Sequence, residues 1–292
     1  MSTDTFLTLN STRIHVNDWG GDGQPILLVH GLASNAKIWN RVAPLLTANF
    51  RVAALDQRSH GLSDEAHDGD YGFEAVCADM REACAGLKLE RPFVVGHSWG
   101  AGIALEFAAR YPNGVAGVVM IDGGFVGMGR RMTWEETEKR LAPPRLAGTP
   151  LAEFRQRLKN SLNGDFNEEV FDIILGNFEV RPDNTIHPHL AFESHMKIVR
   201  AMWEQDPDWL YPQVKCRALF LPCIPPEPRD PMSEQFLDWK REGAALAQKL
   251  MPQARIDWLA DSIHDAPIQR PELVAEKVKG FAENISTAEG AS

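Results

Sequence analysis

The segment that most constrains this chain is Gly96-His97-Ser98-Trp99-Gly100. It follows the apolar run Pro92-Phe93-Val94-Val95 and leads into Ala101-Gly102-Ile103-Ala104-Leu105-Glu106-Phe107-Ala108-Ala109-Arg110. The short run reads as a buried strand and the longer one as a helix, so the five residues predict a sharp strand-to-helix turn. A serine at the apex of such a turn holds its hydroxyl exposed above the sheet. Glycines two positions away on each side let strand and helix close up without a Cβ clash. A plain Gly-rich turn has the same composition. Nucleophilic chemistry therefore requires a base, an acid and an oxyanion site elsewhere in the chain.

The base is read near the C-terminus. Ala254-Arg255-Ile256-Asp257-Trp258-Leu259 reads as a strand, followed by the loop Asp261-Ser262-Ile263-His264-Asp265 and a helix from about Pro267 to Asn284. His264 alone among nine histidines follows this last strand, where a side chain can reach over a serine at the rim of the sheet. The order serine, acid, histidine fits that placement. An oxyanion site needs backbone N–H groups aimed at the charge that develops on a carbonyl oxygen. Pro25-Ile26-Leu27-Leu28-Val29 is an apolar strand that runs into His30-Gly31-Leu32-Ala33-Ser34. The amides of Leu32 and of Trp99, directly after the serine, are the candidate donors.

With these pieces in order, the chain resembles the α/β-hydrolase superfamily along nearly its whole length. The residues that carry the resemblance are His30-Gly31, Asp56-Gln57-Arg58-Ser59-His60-Gly61-Leu62-Ser63, the turn at Ser98, and His264-Asp265 leading into Gln269-Arg270-Pro271-Glu272. It implies a mostly parallel, eight-stranded sheet with helices on both faces, and a structural role for Asp56, Arg58 and Ser63 in bracing their loop. Epoxide hydrolases and dehalogenases of the superfamily carry aspartate at the turn, so serine here disfavours those two activities. The acid departs from the usual pattern. After the seventh strand, Cys216 to Leu221, no Gly-x-x-Asp follows; Glu227 and Asp230 stand there among four prolines. After the sixth strand, Val118 to Ile121, stands Asp122-Gly123-Gly124. A carboxylate at that strand end is well placed to reach an imidazole, so Asp122 is the first candidate, Glu227 the second and Asp230 the third.

The sheet core is expected over residues 1–124 and 213–292. Residues 125–212 show helical stretches (Thr133-Arg140, Leu151-Leu162, Glu168-Leu175, His189-Gln205) separated by prolines and no strong strand pattern. They resemble the helical cap that many superfamily members insert over the active-site mouth. Trp39, Phe125, Met128, Trp134 and Met196 are the candidate substrate-pocket residues, and His195 reads as a helix-surface residue.

Composition agrees with a globular enzyme. The formal charge of −10 repels nucleic acid and anionic membranes. No apolar run reaches the roughly 18 residues needed to span a bilayer, and the N-terminus lacks signal-peptide character. Four cysteines without metal-ligand spacing read as free thiols in a reducing, cytoplasmic setting. The tail from Asn284 is expected to fray. The leading expectation is a serine esterase or lactonase acting on a small, largely apolar substrate, as a monomer or homodimer, without metal or cofactor. A C–C bond hydrolase, an aminopeptidase using Glu204, Asp206 and Asp208, and a low-turnover ligand-binding protein are the competing readings.

Overall fold

The computed structural model describes residues 2–162 and 166–289, with side chains as far as residue 285. In chain order the first half comprises β1 (Thr3–Leu9), β2 (Thr12–Gly20), β3 (Gln24–Val29), α1 (Ala43–Leu46), β4 (Phe50–Leu55), α2 (Phe73–Gly86), β5 (Phe93–His97), α3 (Trp99–Arg110) and β6 (Gly117–Ile121). There follow α4 (Trp134–Leu141), β7 (Thr149–Pro150), α5 (Leu151–Leu162), α6 (Glu168–Leu175), β8 (Phe178–Val180), β9 (Thr185–Pro188), α7 (Phe192–Glu204) and α8 (Pro207–Leu210). The chain then returns through β10 (Arg217–Leu221), α9 (Pro231–Leu250), β11 (Ala254–Ile256), α10 (Ala266–Gln269) and α11 (Pro271–Glu289).

Eight strands form one sheet in the order β1-β2-β4-β3-β5-β6-β10-β11. The hairpin β1–β2 turns at Asn10 and Ser11, both with positive φ, as a two-residue turn between twisted strands requires. β2 pairs antiparallel with β4, and every later pairing is parallel. The central strands are buried on both faces, as a parallel sheet covered by helices demands. Side chains alternate between two cores. Leu27, Val29, Val94 and Met120 face α2, α3 and Tyr211. Ile26, Leu28, Val95 and Ile121 face Trp39, Val42 and the Val274–Ala282 stretch of α11.

Two expectations change here. The segment between β6 and β10 is not purely helical, because β7, β9 and β8 form a small antiparallel sheet of their own. These strands are two to four residues long and two of them contain proline, too short for alternation to show in sequence. Ile186 of β9 is fully buried against Phe154 and Phe171. The C-terminal helix also breaks in two at Arg270–Pro271, since the residue before a proline is pushed out of helical conformation. Of the tail expected to fray, residues up to Glu289 continue α11, and 290–292 lie outside the described residues.

Candidate active site

The turn after β5 explains its own glycines. A Cβ on Gly96 would collide with the Gly100 carbonyl, and one on Gly100 with the Val29 carbonyl of the neighbouring strand. Ser98 sits at the apex with φ 56° and ψ −119°, a backbone conformation that costs energy for any non-glycine residue and recurs at functional turns. Its own N–H donates to the Ile121 carbonyl at 2.9 Å. The strained residue is thereby fixed to the end of β6, where Asp122 begins.

The side chains of Ser98, His264 and Asp122 lie in one hydrogen-bonded line. His264 Nδ1 is 2.7 Å from Asp122 Oδ2, and His264 Nε2 is 3.0 Å from Ser98 Oγ. A proton on Nδ1 donates to the carboxylate and leaves Nε2 as the acceptor of the serine hydroxyl. Burial works against charge on Asp122, but the hydrogen bond and charge of His264, followed by Lys240, outweigh it and hold the carboxyl down to about 2. Partial loss of water around the ring likewise disfavours the charged form of His264, and the hydrogen bond and charge of Asp122 overcome it, raising the imidazole above its ordinary value. Asp122 is 1% exposed whereas His264 is 53% exposed, so the line runs from a dry anchor to an accessible rim.

The alternative acids stand elsewhere. Glu227 is exposed and paired with Arg229. Asp230 caps α9, accepting from the amides of Met232 and Ser233 at 2.8 and 3.0 Å.

Two residues of the site gave no sequence signal. Lys240 of α9 reaches across the fold to place Nζ 2.7 and 3.0 Å from the two oxygens of Asp122. Removing one partner of such a buried pair typically costs about 3–5 kcal/mol. His97, the residue before the serine, donates from Nε2 to the His264 carbonyl at 2.8 Å and stacks 4.9 Å from the His264 ring. Burial, then the neighbouring His264, push it down to about 4. A neutral His97 thus ties the histidine loop to the serine turn.

The His30–Gly31–Leu32 turn packs directly on the serine: a Cβ on Gly31 would stand 3.0 Å from the Ser98 Cβ. His30 braces the turn from behind, with Nδ1 donating to the Gly31 carbonyl at 2.7 Å and Nε2 accepting from the Gln57 amide at 3.0 Å. His60 donates to the Arg58 carbonyl and accepts from the Ala33 amide at 3.3 Å. Burial pushes His60 down to about 3. Trp99 is the first residue of α3, so its amide is among those a helix leaves without an internal acceptor. The Asp56 loop is held as the sequence suggests. Asp56 accepts from Ala36 and Leu62 amides at 2.6 and 2.9 Å, Arg58 pairs with Asp79 at 2.7 Å, and Ser63 Oγ donates to the Asp56 carbonyl at 2.6 Å.

A cavity of about 380 Å³ opens beside Ser98, His264 and Lys240. Its apolar wall includes Phe73, Phe125, Met128, Leu141, Met202 and Phe236, with Gln205 as a neutral polar member. Of the candidate pocket residues, Phe125 and Met128 line this cavity. Trp39, Trp134 and Met196 do not. Trp39 is fully buried beneath the sheet. Trp134 packs edge-on against Trp203 under the Arg200 guanidinium. Met196 is half-buried on α7. His195 is buried rather than on the helix surface, and bonds the Leu141 carbonyl at 2.8 Å. It lines a second cavity of about 440 Å³, together with His60, Ala33 and Phe178.

Among the described residues, no group of three or more His, Cys, Asp or Glu side chains is arranged to hold a metal ion. No helix among them is long and apolar enough to cross a membrane.

A family model described as the alpha/beta hydrolase fold matches residues 24–178, more than half of the chain. N-formylmaleamate deformylase of Pseudomonas putida is 38% identical over 125 residues, covering 43% of this chain and 47% of the relative. The match thus spans about half the length of that relative. Two solved structures superpose over almost the whole chain. E-2-(acetamidomethylene)succinate hydrolase does so with a TM-score of 0.80 at 19% identity, covering 97% of this chain and 100% of the other. The enol-lactonase of Burkholderia xenovorans LB400 does so with a TM-score of 0.69 at 20% identity, covering 96% and 100%. At such identities the likeness is one of fold.

Proposed function

Since this chain belongs to the alpha/beta hydrolase fold family of hydrolytic enzymes, we propose that it is a serine hydrolase that cleaves a carboxylic ester or lactone of a small, largely apolar substrate. The observation that carries this reading is the continuous line Asp122–His264–Ser98, at 2.7 and 3.0 Å, opening on an apolar cavity.

The chemistry follows from the geometry. His264 Nε2 takes the hydroxyl proton as Ser98 Oγ forms a bond to the carbonyl carbon, and the carbonyl electron pair moves onto oxygen. The amides of Leu32 and Trp99 donate to that oxyanion. Asp122 orients the ring and balances the imidazolium without taking its proton. As the tetrahedral species collapses, Nε2–H protonates the departing alkoxide, leaving an acyl group on Ser98. A water molecule then gives a proton to the same nitrogen and attacks the acyl carbon. Its collapse returns the proton to Ser98 and releases the acid.

A second reading within the same chemistry is hydrolysis of an acyclic amide. Its support is the likeness to a deformylase and to a hydrolase of an acetamido compound. The aminopeptidase reading loses its basis. Glu204 is paired with Arg200, and Asp206 and Asp208 with Arg130, and none of the three lines the cavity beside Ser98. Turnover of p-nitrophenyl acetate to p-nitrophenyl octanoate, simple lactones and N-formyl amides tests these readings. Ester or lactone turnover that vanishes in Ser98→Ala supports the first. Turnover confined to amides supports the second, and activity retained by Ser98→Ala overturns both.

A further inference from the structure

Lys240 is a buried cation that touches the carboxylate of the site but neither Ser98 nor His264. On α9, Gly243 approaches the insert so closely that a Cβ would collide with the Phe125 carbonyl. That contact draws the helix against the segment beginning at Asp122. Lys240 lies three residues earlier, on the same helix face. Its Nζ is 2.7 Å from Asp122 Oδ1, 3.0 Å from Asp122 Oδ2 and 3.0 Å from the Cys223 carbonyl. An ammonium has three protons, so all are spent within the protein and none remains for substrate, although Lys240 lines the cavity.

Several groups face His264. Asp122 stands on Nδ1, with Lys240 behind it, and Ser98 stands on Nε2. Asp265 is the next residue, the ring of His97 is 4.9 Å away, and the buried Cys223 thiol, pushed up by burial, stays uncharged. With Asp122 alone, an imidazolium completes a neutral pair. With Lys240 present, the Asp122 carboxylate is already balanced, so protonating His264 adds a positive charge that only the neighbouring Asp265 offsets.

We propose that Lys240 is a positioning residue that sets the working pH of this site. It holds the Asp122 carboxylate toward His264 and offsets its charge, so that His264 remains a neutral base to lower pH than Asp122 alone would permit. The inference rests on the serine-hydrolase reading, in which His264 must be neutral to accept the Ser98 proton. The direction in which Lys240 acts on His264 agrees, since it opposes the raising effect of Asp122.

The test is the pH profile of kcat/KM in wild type, Lys240→Met, Lys240→Gln and Lys240→Arg, using the ester that wild type turns over best. Glutamine keeps a donor for Asp122 without the charge, and arginine keeps the charge. The acid limb is expected to rise by about one pH unit in the Met and Gln variants and to return toward wild type in Arg. Superimposable acid limbs with a uniformly lowered plateau would overturn the proposal and leave Lys240 a structural residue. Circular dichroism checks folding, and if Lys240→Met does not fold, the Gln and Arg pair decides.

A substrate-free measurement separates this proposal from the one beneath it. NMR titration of the His264 ring in wild type and Lys240→Gln is expected to show the same rise, and equal titration midpoints would overturn it. Wild-type turnover that does not depend on Ser98 would instead sink the hydrolase reading.

Discussion

Two loops leave the carboxyl ends of neighbouring strands, β6 and β10, and both carry carboxylates, yet they play opposite parts. After β6 the carboxylate comes at once, as Asp122, 1% exposed and in contact with Cys223 N–H, Lys240 and His264. After β10 the chain runs through three prolines to Glu227 and a fourth to Asp230, which serve Arg229 and the start of α9. The β10 loop contributes its backbone instead. The Cys223 amide donates to Asp122 Oδ1 at 2.8 Å, and its carbonyl accepts from Lys240 at 3.0 Å. A carboxylate joins the serine–histidine line through its position at a strand end and the donors that hold it there. Residue type and proximity in sequence decide much less.

The sharpest way to break that comparison is to neutralise each carboxylate in turn. Asp122→Asn is expected to lower kcat by about 10⁴-fold, through loss of the correct imidazole tautomer. Glu227→Gln is expected to stay within about twofold of wild type, because surface pairs such as Glu227–Arg229 contribute little. Steady-state kinetics on a p-nitrophenyl ester reads both. Equal losses, or the larger loss in Glu227→Gln, would move the acid to the β10 loop.

The cavity supplies the next test. Met128→Trp is expected to raise KM for octanoate over acetate esters by about tenfold or more, since it narrows a wall of the space beside Ser98. Trp134→Phe, whose ring packs on Trp203 away from that space, is expected to leave the ratio unchanged. A chain-length series with both variants checks this. A pH series gives a smaller effect. His264 is raised above 6.5 and Asp122 is held at about 2. Activity should therefore fall as pH drops through a single limb above 6.5, with no second limb from Asp122 until far lower pH. At the small end, Asp230→Ala is expected to lower the melting temperature slightly through loss of its helix cap, with kcat unchanged.

The legible parts of this fold were those written in short, contiguous segments. The strand–turn–helix around Ser98, the late loop of His264 and the strand-end Asp122 each follow from a few adjacent residues, as do α5 and α6. Lys240 is separated from Asp122 by 118 positions, and nothing in the α9 sequence marks one lysine as buried. The role of His97 depends on a loop 167 residues away. Trp39, Trp134 and Met196 have the composition of pocket residues, but packing decided which large side chain meets the cavity and which fills a core. The strands β7 to β9 are too brief to show a period of two.

The central claim is that Ser98 is the residue acylated by substrate, with His264 as its base and Asp122 as the carboxylate that orients that base. It is tested most directly by treating the protein with a fluorophosphonate and locating the adduct by mass spectrometry, with the labelling rate followed in Asp122→Asn and Glu227→Gln. A single adduct on Ser98, formed much more slowly in Asp122→Asn and at the wild-type rate in Glu227→Gln, is the expected result. An adduct at another residue, or a rate that depends on Glu227 and not on Asp122, would contradict it.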